Sequence, residues 1–162
     1  MGTTTAGAGL EGVIAGESEI CYIDGYQGIL SYRGFNIHTL AENAKFEEII
    51  FLLWNGWLPK RAELDQLKKE LVAEREMPGA VVDFLKGVPK ANTMDVLRTA
   101  VSMLSLYDPE AQDMSKEANY RKAARLMART ATIVTTFERL RKGQAVIAGD
   151  PSLSFAGNFL YS

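Results

Sequence analysis

The sequence predicts a mainly α-helical protein with a small β-hairpin near its N-terminus. Only the segment from Leu10 to Tyr32 favours strands and turns, whereas almost every apolar run after Phe35 has helical spacing. Glycine, proline and basic residues stand where several of these predicted helices end. The 162 residues contain no internal repeat and no linker-like composition, which suits one domain.

The composition excludes several classes of protein. Apolar residues make up 47% and charged residues 23%, as in globular proteins. A net charge of -2 provides no basic surface for nucleic acid and no polybasic patch for a membrane. The longest apolar run, Ile49 to Trp54, is too short to span a bilayer, and the single cysteine, Cys21, suits a reducing compartment. We therefore expect a cytoplasmic protein that binds neither nucleic acid nor membranes.

The N-terminus is expected to form a flexible leader. Residues 1–9 are dominated by Gly, Thr and Ala, which form no apolar pattern. Residues 7–12 match the dinucleotide fingerprint G-x-G-x-x-G, but no strand precedes the motif and no helix obviously follows it. A pyrophosphate site of that type needs a helix N-terminus, so we interpret the motif as part of the leader.

A β-hairpin is predicted directly after this leader. Ile20 to Ile23 favour a strand, and Asp24-Gly25 is a strong signal for a two-residue turn in which both residues have positive φ. The return strand would contain Ile29, Leu30 and Tyr32.

Three helices are predicted in the next part of the chain. The first is short, over Thr39–Asn43, and the second, Phe46–Asn55, is apolar on nearly every face and should be buried. Gly56 suits the C-terminal cap of the second helix. The third covers residues 60–76 and is amphipathic, and three leucines form its apolar stripe: Leu64, Leu67 and Leu71.

Four more helices are predicted in the rest of the chain. Pro78 opens a short helix to Lys86, and Thr93 caps a helix to Tyr107. The latter has apolar residues on more than one face, so it needs partners on two sides. An Ala-rich helix follows over Ser115–Lys142, and Ser154–Tyr161 begins the last. Because that last helix is apolar, we expect the chain to be incomplete at its C-terminal end.

No catalytic residue can be assigned from the sequence. His38 is the only histidine, and it has no Asp, Cys or Ser at a triad-like spacing, so we interpret it as a solvated residue at a helix start. Cys21 lies between two apolar residues of the predicted strand and is expected to be a small buried packing residue.

The charged residues indicate neither a metal site nor an anion site. Paired carboxylates occur at three places: Glu47 with Glu48, Glu74 with Glu76, and Asp108 with Glu110. Without histidines or further oxygen ligands they are better interpreted as helix-end charges or solvated faces. Four basic residues share part of one helix surface: Arg121, Lys122, Arg125 and Arg129. They could meet a phosphate, but a salt-bridged solvent face is favoured.

Several sequence stretches together resemble a known family. The first group is GLEGV at 9–13, IDG at 23–25 and GILSYRG at 28–34. The second is FEE at 46–48 with LLWNGWLP at 52–59, and the third is MDVLRTAVS at 94–102 with NFLY at 158–161. In this order and spacing the chain resembles citrate synthases, most of all the shorter bacterial and archaeal type.

The resemblance implies an almost all-α fold with a large and a small domain, working as a homodimer. Residues 10–162 would form the N-terminal portion of the large, helical domain. The implied reaction joins acetyl-CoA to oxaloacetate, with acetyl-CoA as a substrate and with neither a metal nor a tightly bound cofactor. In the family the catalytic histidines and aspartate lie after the part that this chain matches, and His38 matches none of them. No catalytic role is therefore carried over.

The resemblance also implies a subunit interface. In the family the helices that correspond to Pro78–Lys86 and Thr93–Tyr107 help to form a helix sandwich between subunits, which agrees with the two-sided apolar pattern of the second helix. We hypothesise that Val96, Ala100 and Met103 contact a second subunit.

Three other hypotheses about the function of the chain stay open. One is a portion of 2-methylcitrate synthase, which uses propionyl-CoA. The second is a non-catalytic helical module that dimerises, or that docks through Phe155–Tyr161 onto the full-length enzyme. The third is a split enzyme that is completed in trans by a C-terminal citrate synthase portion.

Overall fold

A computed structural model describes residues 14 and 16–162 of the chain. Three short strands come first: β1 (Cys21–Asp24), β2 (Ile29–Tyr32) and β3 (Phe35–Asn36). Seven α-helices follow in this part of the chain: α1 (Ile37–Asn43), α2 (Phe46–Asn55), α3 (Arg61–Ala73), α4 (Gly79–Gly87), α5 (Thr93–Leu104), α6 (Lys116–Arg141) and α7 (Phe155–Tyr161). A 3-10 turn, Ser105–Tyr107, extends α5. The predicted mainly α fold is confirmed, while the predicted leader and the 7–12 motif lie outside the described residues.

The β1–β2 hairpin has a longer loop than the sequence predicted. Asp24 pairs with Ile29, so four residues connect the strands. The Asp24 Oδ1 atom accepts hydrogen bonds from the backbone N–H groups of Tyr26 (3.0 Å) and Gln27 (2.9 Å), and the positive φ of this loop is at Gly28 (67°). The prediction of a two-residue turn at Asp24-Gly25 was therefore wrong, because the aspartate side chain nucleates a wider turn.

A second, tighter hairpin was not predicted. Tyr32 pairs with Phe35, and the two residues between them, Arg33 (φ 49°) and Gly34 (φ 84°), both have the positive φ of a type I′ turn. A non-glycine residue rarely adopts this conformation. Here the Arg33 Nη2 atom donates to the backbone oxygen of Leu53 (3.1 Å), so a contact with α2 holds the turn residue in place.

The helix ends follow local signals closely. Four N-cap side chains accept hydrogen bonds from the first turns of their helices: Asn36, Asn92, Ser115 and Ser154. Asn92, rather than the predicted Thr93, caps α5, since its Oδ1 atom accepts from the N–H of Met94 (2.9 Å). Gly56 ends α2 in a left-handed conformation as predicted.

The long helix α6 joins two apolar cores. One core lies between α4, α5 and α6 and contains seven buried residues: Val81, Leu85, Val96, Ala100, Leu104, Ile133 and Phe137. The other lies between α2, α3 and α6, and its buried residues are Ile50, Phe51, Leu67, Leu71 and Ala124. The predicted leucine stripe of α3 thus faces the second core. In the described part of the chain, no helix combines the length and apolar composition that crossing a membrane requires.

Candidate subunit interface

The helix α5 was predicted to present Val96, Ala100 and Met103 to a second subunit. Val96 is 3% exposed and Ala100 is 0% exposed, and both pack within the core formed with α4 and α6. Met103 is partly buried at the edge of the same core. Residues spaced by four lie on one helix face, so the stripe that includes Val96 and Ala100 is covered by the chain itself. A contact between α5 and a second copy stays a prediction, and it would have to use the opposite face of the helix.

The outward side of α5 and of its 3-10 extension exposes large apolar residues. Met94 and Leu106 are strongly exposed, at 68% and 77%, and Tyr107 is also exposed. Leu97 and Val101 are partly buried between the two faces. The two-sided apolar pattern seen in the sequence therefore has one side in the core and one side that no described element covers.

An apolar groove runs along α6. Six α6 residues line it with Trp54, Phe155 and Phe159: Ala123, Leu126, Met127, Thr130, Ala131 and Val134. Ala123 and Ala131 have small side chains, which leave space along this face of α6. Leu126, which also lines the groove, is 44% exposed. The cavity has a volume of about 540 Å³ and is bordered by almost no polar group. Contiguous apolar surfaces of this kind are typical of interaction sites.

A charged cluster lies on another side of α6. The Arg125 Nη1 atom is 2.5 Å from the Asp108 carboxylate, and the same guanidinium also bonds to Glu110 and lies 3.5 Å from Glu74. Arg129 lies 3.4 Å from Glu74. The Arg125 side chain is only 12% exposed, so the cluster ties α6 to the end of α3 and to the loop after α5. The predicted salt bridges are confirmed for Arg125 and Arg129, but the predicted solvent face was wrong for both, since their side chains are largely buried.

The ion pairs shift the pKa values within this cluster. Hydrogen bonds from Arg121 and then from Arg125 lower the pKa of Glu110 from an ordinary value of 4.5 to about 2. Burial works against the charge of Arg125, but hydrogen bonds from its guanidinium to Glu110 and Asp108 outweigh it, so the pKa of Arg125 is raised. The cations are thus already neutralised by the chain's own carboxylates, and the cluster is structural.

Two residues that were considered for chemistry are exposed. His38 lies at the second position of α1, where its backbone N–H donates to Asn36 Oδ1 (2.9 Å), and its side chain has the predicted solvated position. Cys21 is exposed, which contradicts its predicted burial. The reason is that β1 lies at the edge of the described three-stranded sheet, where its first three residues are exposed.

The first carboxylate pair divides into two different roles. Glu48 Oε2 accepts from the backbone N–H of Lys45 (2.7 Å) and forms the predicted helix-end charge. Glu47 is 3% exposed, and its Oε1 atom accepts from the backbone N–H of Phe155 (2.8 Å) at the start of α7. Glu47 lies in the first turn of α2, as a helix-end charge does, but it is buried there, so a solvated position is excluded. Nothing in the local sequence indicates a partner 108 residues away.

The described residues suggest no metal centre. Among residues 14 and 16–162, no three His, Cys, Asp or Glu side chains are arranged so that they could hold a metal ion.

Comparisons with known proteins agree with the fold. The family model described as citrate synthase, C-terminal domain, matches residues 9–162. Citrate synthase 2 of Bacillus subtilis is 44% identical over 160 residues, which cover 98% of this chain and 42% of that protein. A 2-methylcitrate synthase of Mycobacterium tuberculosis is 38% identical over 154 residues, which cover 94% of this chain and 39% of that protein.

A solved structure matches the fold itself. The crystal structure of citrate synthase from Pyrobaculum aerophilum superposes with a TM-score of 0.89 at 34% identity, covering 94% of this chain and 40% of that chain. The chain thus spans about two-fifths of the length of the relatives it matches. The family model extends over nearly all of the sequence, and the predicted resemblance is confirmed. The chain belongs to the citrate synthase family.

Proposed function

We propose that the protein catalyses the condensation of acetyl-CoA with oxaloacetate, and that residues 10–162 supply helical scaffold and part of a homodimer interface. The observation that carries this proposal is the 44% identity to a citrate synthase across nearly the whole chain. We also propose a cytoplasmic location, since the single cysteine suits a reducing compartment.

The proposed reaction needs groups that these residues do not supply. A carboxylate takes a proton from the acetyl methyl group, the resulting enol carbon attacks the keto carbon of oxaloacetate, and water then cleaves the thioester to release CoA. The weakly acidic C–H needs a tuned base, and the developing oxyanion needs hydrogen-bond donors. His38 and Cys21 are exposed, and the family resemblance carries no catalytic role onto either residue, so we assign the acid–base chemistry to other parts of the protein.

A thiol-release assay tests this activity. We expect the 162-residue chain, after a C-terminal citrate synthase portion is added, to release CoA when it is given oxaloacetate with acetyl-CoA, at a higher kcat/KM than with propionyl-CoA. A preference for propionyl-CoA would favour the alternative, 2-methylcitrate synthase, for which the similarity to the Mycobacterium tuberculosis protein is the supporting observation. If neither thioester reacts, even after a C-terminal citrate synthase portion is added, the chain is a non-catalytic module and the proposal fails.

The apolar groove on α6 is the proposed place for part of the homodimer contact. We expect Leu126→Glu to lower the molar mass measured by light scattering, because it places a charge in an apolar contact. Leu58→Glu is a matched control, since Leu58 is similarly exposed, at 40% compared with 44%, and lies outside the groove. If both variants keep the parent mass, the groove is not a subunit contact.

A further inference from the structure

A polar cavity of about 270 Å³ lies between α2, α3 and residues 151–155, and Phe155 lies between this cavity and the apolar groove on α6. Four charged side chains line it: Lys45, Glu47, Lys68 and Arg75. The buried Glu47 holds the first N–H of α7 and so fixes one wall of the cavity. The site is therefore bounded by helices and by a segment that is tied down at both ends.

The segment opposite the helices is fixed by its own hydrogen bonds. The backbone N–H of Asp150 donates to Asn158 Oδ1 (2.8 Å), and the backbone oxygen of Asp150 accepts from Arg75 Nη1 (3.0 Å). The Asp150 carboxylate is used locally, where it accepts from the backbone N–H of Ser152 (2.8 Å). The carboxylate forms no hydrogen bond with Arg75 among the described residues, although its charge acts on that guanidinium.

The charges around the cavity are not balanced. Within the described residues, Lys45, Lys68 and Arg75 form no ion pair with any carboxylate. Glu47 and Asp150 both act electrostatically on Arg75 and offset two of the three positive charges, so a formal charge of about +1 remains. Burial lowers the pKa of Arg75, with Glu47 and Asp150 acting in the opposite direction. A partly desolvated cation whose partner is a backbone oxygen is costly, and an anion would relieve that cost.

We propose that this cavity binds a compact anion that carries a phosphoryl group, with Arg75 as its principal donor and Lys45 and Lys68 on either side. Arginine suits this role because its planar group can donate two parallel hydrogen bonds to phosphate oxygens. The volume is below the range of about 300–1,000 Å³ that is typical of larger ligands, so inorganic phosphate or a small phosphate monoester fits best. The proposal does not depend on the acyl-transfer activity.

Calorimetric titration with inorganic phosphate, at an ionic strength held constant with chloride, tests the proposal. We expect one saturable site, and we expect Arg75→Gln to weaken it by at least about tenfold. Arg61→Gln is the matched control, since it removes the same charge from α3 at an exposed residue that is paired with Asp65 (2.9 Å). Its affinity should stay within about twofold of the parent protein.

A second variant and a second ligand complete the binding experiment. Lys68→Gln should also weaken binding, and it serves as the test if Arg75→Gln fails to fold by circular dichroism. Methyl phosphate distinguishes the ligand source: tighter binding than inorganic phosphate indicates an ester, and equal or weaker binding indicates free phosphate. Heats that do not saturate, or an equal loss in Arg61→Gln and Arg75→Gln, would overturn the proposal, because the effect would then be general charge screening.

Discussion

Replacing Ala100 with Leu tests which side of α5 faces the chain's own core. Ala100 is fully buried and lies in a cluster with Val81, Leu85, Ile133 and Phe137. Leucine adds three carbon atoms where the neighbouring helices leave no exposed surface. Overpacking of this kind costs about 1 to 3 kcal/mol of unfolding free energy, because neighbours must leave their preferred rotamers.

The loss of unfolding free energy in Ala100→Leu can be measured by thermal and urea unfolding. For a chain of this size, a loss of about 2 kcal/mol corresponds to a fall in Tm of about 4 to 8 °C. Thr99→Leu is the matched control, because Thr99 is the preceding residue of α5 and is exposed. We expect it to change the unfolding free energy by less than about 0.5 kcal/mol. Light scattering on the same samples reports self-association.

One outcome would contradict the assignment of Ala100 to the core. If Ala100→Leu leaves the unfolding midpoint unchanged but lowers the molar mass, then Ala100 lies at a contact between chains and its assignment to the core is wrong. A fall in stability at unchanged mass would support the core assignment.

Three more predictions concern the charged cluster and the segment before α7. Arg125→Met should lower the unfolding free energy by about 2 to 3 kcal/mol, measured by urea denaturation, because it leaves three carboxylates without their shared cation. The lowered pKa of Glu110 means that its contribution to stability is complete above about pH 4.5 and is lost as the pH falls through about 2, so Glu110→Gln should flatten that part of a stability–pH curve. Gly149→Ala should lower the Tm, because a Cβ atom there would lie 2.8 Å from Asn158 Oδ1 and would displace the acceptor of the Asp150 N–H.

Each of these predictions has a control within the chain. Arg61→Met removes an arginine from an exposed i,i+4 pair and should cost about 0.5 kcal/mol or less. Glu117→Gln removes an exposed carboxylate that forms no ion pair with a described residue, so it should not reproduce the effect of Glu110→Gln. Gly79→Ala places a Cβ where no atom lies within 4 Å and should not lower the Tm. Equal effects in variant and control would contradict the reasoning in each case.

Local signals predicted the helices well because helices are held by bonds within four residues. The bounds of α2 agree with the prediction, and the leucine stripe of α3 is buried. The hairpins were harder, since Arg33 reaches its turn conformation with the help of a bond to α2. Arg-Gly carries no strong turn signal, whereas Asp24-Gly25 does, and the structure places the tight turn at the former.

The sequence pattern did not predict which side of α5 packs against the chain's own helices. The pattern of α5 correctly indicated apolar residues on two sides, but periodicity cannot say which side meets the chain's own helices. Val96 and Ala100 turned out to face α4 and α6, because those helices supply the complementary residues Leu85 and Phe137. The groove on α6 could not be predicted from the α6 sequence either, because Trp54 of α2 forms part of its lining.

The sequence by itself determined the family, the order of the helices and most of their ends, because these depend on residue identity, spacing and capping groups that are local in the chain. Only the tertiary structure decided that Glu47 is buried against the N–H of Phe155, that Arg125 bonds to or lies close to three carboxylates, and that Arg75 donates to the backbone oxygen of Asp150. Such pairings depend on how distant helices pack. Their energies come from burial and charge in three dimensions, which spacing along the chain does not encode.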